Sequence, residues 1–184
     1  MHDALLLMER TARALHSAHE AGLIHRDIKP GNIMVTPEGE PVLLDFGLAR
    51  NTEDGGQTLT ETGQVLGTPA YMAAEQILGK RDEIDRRTDV YSLGATLFEC
   101  LTLHRPFEAE SFDQLYHRKL QGHHANARKL NPRIPPDLNT VVEVALDRDR
   151  TRRYSTALEL ADDLKRVRSF EPIRAKAAGP MTRL

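Results

Sequence analysis

Residues 25–32 read His-Arg-Asp-Ile-Lys-Pro-Gly-Asn, and residues 45–47 read Asp-Phe-Gly. Between these two polar stretches lie two short apolar runs, 33–35 and 42–44, and the turn-forming sequence Thr-Pro-Glu-Gly separates the runs. Two apolar runs on either side of such a turn predict a β-hairpin. The hairpin would bring the end of the first polar stretch and the start of the second onto neighbouring loops.

Helices are predicted on both sides of the hairpin. Apolar residues recur at three- and four-residue steps through 3–21 and predict an amphipathic helix, with Asp3 as its N-cap and Gly22 as its stop. Residues 48–69 are rich in Thr, Gly and Asp and predict a long loop. Beyond it, further helices are predicted over 88–103, 111–121, 136–146 and 155–170. The predicted fold class is therefore mainly α (α+β), a helical bundle beside a small hairpin.

Composition restricts the possible partners. The 184 residues are 40% hydrophobic and 28% charged, and the net charge is −2, so no broad attraction to nucleic acid or to an anionic membrane is expected. No apolar run reaches the length of a membrane-spanning helix. The single cysteine, Cys100, allows no intrachain disulfide and is expected to be a small core residue. A cytoplasmic location fits this cysteine usage.

The two polar stretches resemble the catalytic loop and the Asp-Phe-Gly motif of eukaryotic-type (Hanks-type) protein kinases, and in particular the Ser/Thr kinases of bacteria. Each motif alone is weak, and single residues of it would be read as turn formers. Both motifs in order, at hairpin spacing, are specific. The resemblance implies that Asp27 accepts the proton of a substrate hydroxyl and that Lys29 neutralises the transferring phosphoryl group. It also implies ATP and Mg²⁺ as cofactors, with Asn32 and Asp45 as oxygen ligands to the metal, and proteins as substrates.

The resemblance extends through the rest of the chain. Residues 67–75 resemble the segment that receives the substrate peptide, where Thr68 would bind near Asp27. Structural roles are implied for a further set of residues: Asp89 bonding the catalytic loop, Glu75 pairing with Arg153, His25 and Phe46 stacking in a hydrophobic column, and Met34 packing under the adenine ring. The implied domain is residues 1–170, a kinase C-terminal lobe with catalytic loop 25–32, Asp-Phe-Gly at 45–47 and activation segment 45–75. Residues 171–184, with two prolines and a glycine, are expected to form a frayed tail.

The loop before residue 67 carries candidate regulatory sites. Thr60 and Thr62 precede Thr68 by eight and six residues, where bacterial relatives are commonly phosphorylated. A phosphate adds a charge of about −1.5 to −2, and Arg26 and Arg50 are candidates to bind it. Phosphorylation is therefore expected to order this loop.

Two departures from the kinase pattern and one absence stand out. Ala74 replaces the usual proline, and Arg150 replaces the Asp-Pro that usually precedes the last helix. The sequence also contains no Gly-x-Gly-x-x-Gly loop, and only 24 residues precede His25, so the N-terminal lobe is expected to be absent. The chain alone is accordingly expected to be inactive, and its upper face is expected to pack on the missing lobe or on a partner protein.

Other interpretations remain open. A non-catalytic binding module with a kinase-like docking surface is the main alternative, and it would be favoured if the reactive residues were lost. An aminoglycoside-kinase type of small-molecule phosphotransferase is disfavoured by Lys29, by residues 67–75 and by the helix that contains Asp89. His123 and His124 have no acidic or cysteine partner at ligand spacing, so residues 117–133 are expected to be a solvated basic face rather than a metal site.

Overall fold

The computed structural model describes residues 1–46, 69–122 and 124–176. Its secondary structure consists of α1 (His2–Glu20), β1 (Ile33–Val35), β2 (Pro41–Leu43), α2 (Ala74–Ile77), α3 (Arg86–Thr102), α4 (Phe112–Gln121), α5 (Ala127–Leu130), α6 (Pro136–Ala145) and α7 (Ala157–Arg168). Short 3-10 turns cover Pro30–Asn32, Arg81–Glu83 and Arg150–Arg152. The described part is a helical bundle with one small antiparallel sheet, which confirms the predicted fold class.

The first helix packs its apolar stripe into the core. Leu5, Met8, Ala12 and Leu15 are buried, and α1 lies against α7 and β2. Gly22 follows the helix with φ +81°, as predicted, because this left-handed conformation suits a residue without a side chain. The predicted cap was wrong: the helix begins at His2, so Asp3 lies inside its first turn.

The hairpin lies where it was predicted. Ile33 pairs with Leu43 and Val35 with Pro41, so the second strand begins one residue earlier than expected. Gly39, with φ +79°, forms the turn between the strands. The open end of the hairpin therefore lies beside Asn32 and Leu44, at the two polar stretches.

Helix α3 is the centre of the bundle and is buried around most of its circumference. It starts at Arg86, two residues before the predicted start, because Asp85 caps it by accepting a hydrogen bond from the Arg87 amide at 2.8 Å. Gly94 allows α6 to approach closely, since a Cβ added there would lie 2.7 Å from Cβ of Ala145. The expectation for Cys100 was wrong: it is exposed, because it lies on the outer side of the last turn of α3.

Two of the later helices begin at side-chain caps. Ser111 caps α4 and Thr156 caps α7, each by accepting a backbone amide hydrogen bond. The sequence did not predict α2 or α5, which have four residues each and no amphipathic repeat. Among the described residues, no helix is both long and apolar enough to cross a membrane.

The described part of the C-terminal tail does not fray as expected. The backbone amides of Arg174 and Ala175 each donate to the Asp163 carboxylate at 2.8 Å, and Ile173 packs against the core. Asp163 is buried on α7, and these bonds fulfil its need for donors. Residues 171–176 are therefore attached to the bundle.

The two departures from the kinase pattern have structural explanations. Ala74 is the first residue of α2, a position that favours proline only because its amide has no partner within the helix, so alanine is tolerated there. Arg150 donates to the Glu83 carbonyl at 2.8 Å and to the Asp85 carboxylate at 3.1 Å. It thereby braces the cap of α3.

Candidate active site

Three polar side chains of the catalytic loop meet at Asp27. Its Oδ2 lies 2.7 Å from the Lys29 ammonium nitrogen and 3.0 Å from the Asn32 amide nitrogen. The Asn32 amide also donates to the Asp27 carbonyl at 2.8 Å. The 3-10 turn over Pro30–Asn32 folds the chain back and makes these contacts possible. One carboxylate oxygen is thus oriented by two donors, and the carboxylate remains partly exposed.

The hairpin brings Asp45 to the same end of the molecule as Asn32. The Leu44 amide donates to the Asn32 carbonyl at 2.9 Å, directly beyond the Ile33–Leu43 pair. Asp45 follows with φ +57°, a left-handed conformation that only a minority of non-glycine residues adopt. Its side chain is exposed, so the carboxylate is available to a ligand.

His25 joins the two polar stretches. The Leu44 carbonyl can only accept, so His25 Nε2 donates to it, at 2.8 Å. Nδ1 of the same neutral ring then accepts from the Asp27 amide at 3.4 Å. The ring also contacts Phe46, with centroids 4.7 Å apart and ring planes tilted by 49°, so these two residues meet. Phe46 is half-buried at this contact.

Asp89, on α3, fixes the backbone of the catalytic loop from below. Its carboxylate is fully buried and accepts from the His25 amide at 2.8 Å and from the Arg26 amide at 2.7 Å, which confirms the predicted contact. A third donor, His19 Nε2, lies 2.8 Å away. Arg26, which follows these bonded amides, has φ +68°.

A buried ion pair between Glu75 and Arg153 anchors the end of segment 69–76. Arg153 donates to both oxygens of Glu75, at 2.6 and 2.9 Å, as predicted, and Thr88 donates to the same carboxylate at 2.9 Å. Burial alone would raise the pKa of Glu75. The hydrogen bonds and the positive charge of Arg153 outweigh burial and hold this pKa below its ordinary value.

Lys119 makes buried contacts that the sequence did not predict. We expected a solvated basic face over 117–133, but Lys119 is only 2% exposed. Its ammonium donates to the carbonyls of Ala70 and Met72 at 2.8 and 2.7 Å and lies 5.1 Å from the centroids of Tyr91 and Phe107. Burial lowers the pKa of Lys119 to about 7, and the positive charge of Arg153 acts in the same direction.

Some predicted site residues lie outside the described residues: Arg50, Thr60, Thr62 and Thr68. Met34 is described and is 48% exposed on the hairpin, so it is not a core residue. It is therefore accessible to a ligand above the hairpin.

The oxygen donors at the open end of the hairpin suit a magnesium ion. The Asn32 amide nitrogen is used by Asp27, and among the described residues no hydrogen bond occupies its Oδ1. Mg²⁺ is commonly held by one or two protein oxygens together with substrate phosphates. No group of three His, Cys, Asp or Glu side chains able to hold a metal occurs in 1–46, 69–122 and 124–176. Asn32 Oδ1 and the exposed Asp45 carboxylate are oxygen donors that could hold such an ion.

Two buried polar residues of this region, His19 and Gln76, were not predicted as site residues. His19 had a signal in the sequence, since it is a polar residue on the apolar stripe of α1. Gln76 had none, because its partner Arg26 lies 50 residues away along the chain.

The sequence matches the family described as "Protein kinase domain" over residues 1–164. It is 37% identical, over 94% of its length, to a probable serine/threonine-protein kinase of Streptomyces coelicolor and to serine/threonine-protein kinase PknB of Mycobacterium tuberculosis. Identity to serine/threonine-protein kinase PknA of Mycobacterium tuberculosis is 36% over 92% of this chain. The chain spans 26%, 27% and 38% of the lengths of these relatives.

A solved structure agrees with the sequence comparison. The crystal structure of Rad53 1-466 in complex with AMP-PNP superposes with a TM-score of 0.70 and 28% identity, over 88% of this chain and 39% of that one. The catalytic-loop contacts, the hairpin and the buried Glu75–Arg153 pair all belong to the region matched by the family. The chain therefore belongs to the protein kinase family, as a C-terminal lobe of the Hanks-type Ser/Thr kinases of bacteria.

Proposed function

We propose that this chain carries the catalytic half of a serine/threonine protein kinase that transfers the γ-phosphoryl group of ATP to a protein hydroxyl. The observation that carries the proposal is the arrangement around Asp27, whose Oδ2 is held by Lys29 and Asn32 while the carboxylate stays partly exposed. A carboxylate held in this way is ready to accept a hydrogen bond from an incoming hydroxyl.

Each polar group has a distinct role in the proposed reaction. Asp27 orients the substrate hydroxyl and receives its proton as the new P–O bond forms. Lys29, which pairs with Asp27 in the absence of substrate, turns its ammonium to the transferring phosphoryl group and compensates its charge. A lysine at this position is also the residue that the resemblance assigns to Ser/Thr rather than Tyr kinases.

The nucleotide and metal would bind at the open end of the hairpin. Asn32 Oδ1 and the exposed Asp45 carboxylate would hold Mg²⁺, and the ion would neutralise the phosphates when bound. Met34, exposed on the hairpin, would contact the adenine ring from below. His25 supports this arrangement because it joins the Asp27 amide to the Leu44 carbonyl, next to Asp45.

The hairpin also carries a surface that would bind a second protein or lobe. Its side chains Met34, Val35, Val42 and Leu44 are between 36% and 49% exposed and form an apolar upper face. Exposed apolar patches of this kind bind partners or promote association. We propose that an N-terminal lobe, or a partner protein in its place, covers this face. If it does not supply phosphate-binding groups, the chain acts as a kinase-like binding module.

To test this proposal, residues 1–184 are fused to the N-terminal lobe of one of the bacterial relatives. Phosphate transfer by this hybrid kinase to Ser, Thr and Tyr peptides is then measured. We expect transfer to Ser or Thr with Mg-ATP, and its loss in Asp45→Ala, which removes the proposed metal ligand. Arg86→Met, at an exposed ion pair with Glu20, is the control variant and should retain activity. Undiminished transfer by Asp45→Ala, or transfer to Tyr alone, would contradict the proposal.

A further inference from the structure

Gln76 connects two segments that the proposed reaction requires to be aligned. It lies in the short helix α2, and its side chain is buried. Its Oε1 accepts a hydrogen bond from the Ala73 amide at 3.0 Å, and its Nε2 donates to the Arg26 carbonyl at 2.7 Å. One side-chain amide thus joins segment 69–76 to the catalytic loop.

The Arg26 carbonyl is a sensitive point of the catalytic loop. It belongs to the same peptide plane as the amide of Asp27, and that amide donates to His25 Nδ1 at 3.4 Å. Arg26 itself has φ +68°, which is disfavoured for a residue with a side chain. Its amide is held by Asp89 at 2.7 Å, but that bond fixes only the preceding peptide plane. The plane that leads into Asp27 is held by His25 on one side and by Gln76 on the other.

Only a side chain with one donor and one acceptor makes both contacts of Gln76. A carboxylate accepts from the Ala73 amide but cannot donate to the Arg26 carbonyl, whereas a protonated carboxyl group does both. A methionine of similar size makes neither bond and leaves a buried carbonyl without a partner. Substitutions at position 76 therefore distinguish the effect of hydrogen bonding from that of side-chain size.

We propose that Gln76 is a positioning residue for phosphoryl transfer, because it holds the Arg26–Asp27 peptide plane in register with segment 69–76. This inference rests on the proposed function, in which Asp27 receives the substrate proton, and on the resemblance of residues 67–75 to the kinase segment that receives the substrate peptide. Gln76 is buried and bonded to backbone groups, so we assign it no direct contact with substrate or nucleotide. It acts through the orientation of Asp27, so its loss should lower kcat and leave the KM for ATP unchanged.

The test compares Gln76→Glu with Gln76→Met. In the 184-residue chain, amide hydrogen exchange at Ala73 should become about tenfold faster in Gln76→Met and stay slow in Gln76→Glu, because only the glutamate retains the acceptor. Carbon chemical shifts of Arg26 should move away from left-handed values in Gln76→Met. Amides of α3, such as those of Val90 and Leu93, report whether each variant is folded.

The kinetic part of the test uses the chain joined to an N-terminal lobe. Gln76→Met should lower kcat about tenfold. Gln76→Glu should be equally impaired at alkaline pH and should recover as pH falls, because protonation of a buried carboxyl restores the donor. The other ionisable groups around the loop, Asp27 and Asp89 included, are the same in both variants, so a recovery confined to Gln76→Glu identifies position 76.

The outcomes separate this inference from the proposed function. No transfer by the unsubstituted chain joined to an N-terminal lobe would refute the proposed function, and the exchange and shift data would still decide the role of Gln76. Unchanged Ala73 exchange and Arg26 shifts in Gln76→Met would overturn the inference. So would an active Gln76→Met with normal kcat, or equal pH profiles of the two variants.

Discussion

The buried pair of Glu75 and Arg153 should respond unequally to removal of its two partners. The two side chains share two hydrogen bonds at 2.6 and 2.9 Å, and both are almost fully buried. Arg153 has further acceptors in the carbonyls of Asp147, Arg87 and Arg148, at 2.8, 3.2 and 3.2 Å. Among the described residues, the Glu75 carboxylate has one further side-chain donor, Thr88. The carboxylate therefore depends more on its partner than the guanidinium does.

The magnitudes follow from this asymmetry. Arg153→Met leaves a buried carboxylate without its counter-charge and should lower the free energy of unfolding by ~3–5 kcal/mol. Glu75→Gln keeps the guanidinium on its three carbonyls and should cost ~1.5–3 kcal/mol, the value of hydrogen bonds to a charged group. The double variant should cost less than the sum, because no buried charge then lacks a partner. Arg86→Met, at an exposed pair with Glu20, should cost less than ~1 kcal/mol.

Urea unfolding of the 184-residue chain, followed by circular dichroism, measures these differences. The pKa of Glu75 is lowered on folding, so its stabilisation is present above the ordinary value of 4.5 and is lost as pH falls through the folded pKa. That acid loss should be smaller in Glu75→Gln. A cost in Arg153→Met no larger than in Arg86→Met, or a larger cost in Glu75→Gln than in Arg153→Met, would refute this reasoning.

Three further predictions concern packing, protonation and modification. Gly94→Ala should be net destabilising, because overpacking against Ala145 costs ~1–3 kcal/mol whereas the higher helix propensity of alanine returns only ~1 kcal/mol. Thermal unfolding measures this difference, and a stabilised variant would contradict the close contact. Lys119 has a pKa of about 7 in the folded chain and an ordinary value of 10.5, so stability should rise with pH between these values because the unfolded chain binds the extra proton. Lys119→Met should lack this rise in urea titrations, and an identical pH dependence would count against the lowered pKa of Lys119. Mass spectrometry of the hybrid kinase after incubation with Mg-ATP should find phosphate on Thr60 or Thr62, and phosphate only elsewhere would refute those sites.

The fold and the catalytic loop were largely predictable because their signals are local. The hairpin follows from two apolar runs and a glycine turn, and Asp27, Lys29 and Asn32 lie within six residues of one another. Gly22 and the caps Ser111 and Thr156 are also local features of the chain. The resemblance to kinases then supplied distant pairs, such as Glu75 with Arg153, that no local pattern contains.

The remaining contacts depend on tertiary structure. Lys119 reaches carbonyls that lie 49 and 47 residues earlier in the sequence, and its neighbours on α4 are ordinary polar residues. Backbone carbonyls have no sequence signature. In the sequence, a buried lysine that donates to carbonyls therefore cannot be distinguished from a surface lysine. The same holds for Gln76 on the Arg26 carbonyl and for Arg150 on the Glu83 carbonyl. Cys100 was misplaced because apolar neighbours on a buried helix do not reveal which side of its last turn faces solvent.

The role of Asp27 is tested most directly by single-turnover phosphate transfer in the hybrid kinase, comparing the unsubstituted chain with Asp27→Asn. The asparagine keeps the size of the side chain and a carbonyl oxygen for the Asn32 and Lys29 donors, but it cannot receive a proton. We predict a transfer rate that is ~10²–10⁴-fold lower, with ATP binding unchanged. A transfer rate within a few-fold of the unsubstituted chain would contradict the assignment of Asp27 and, with it, the proposed mechanism.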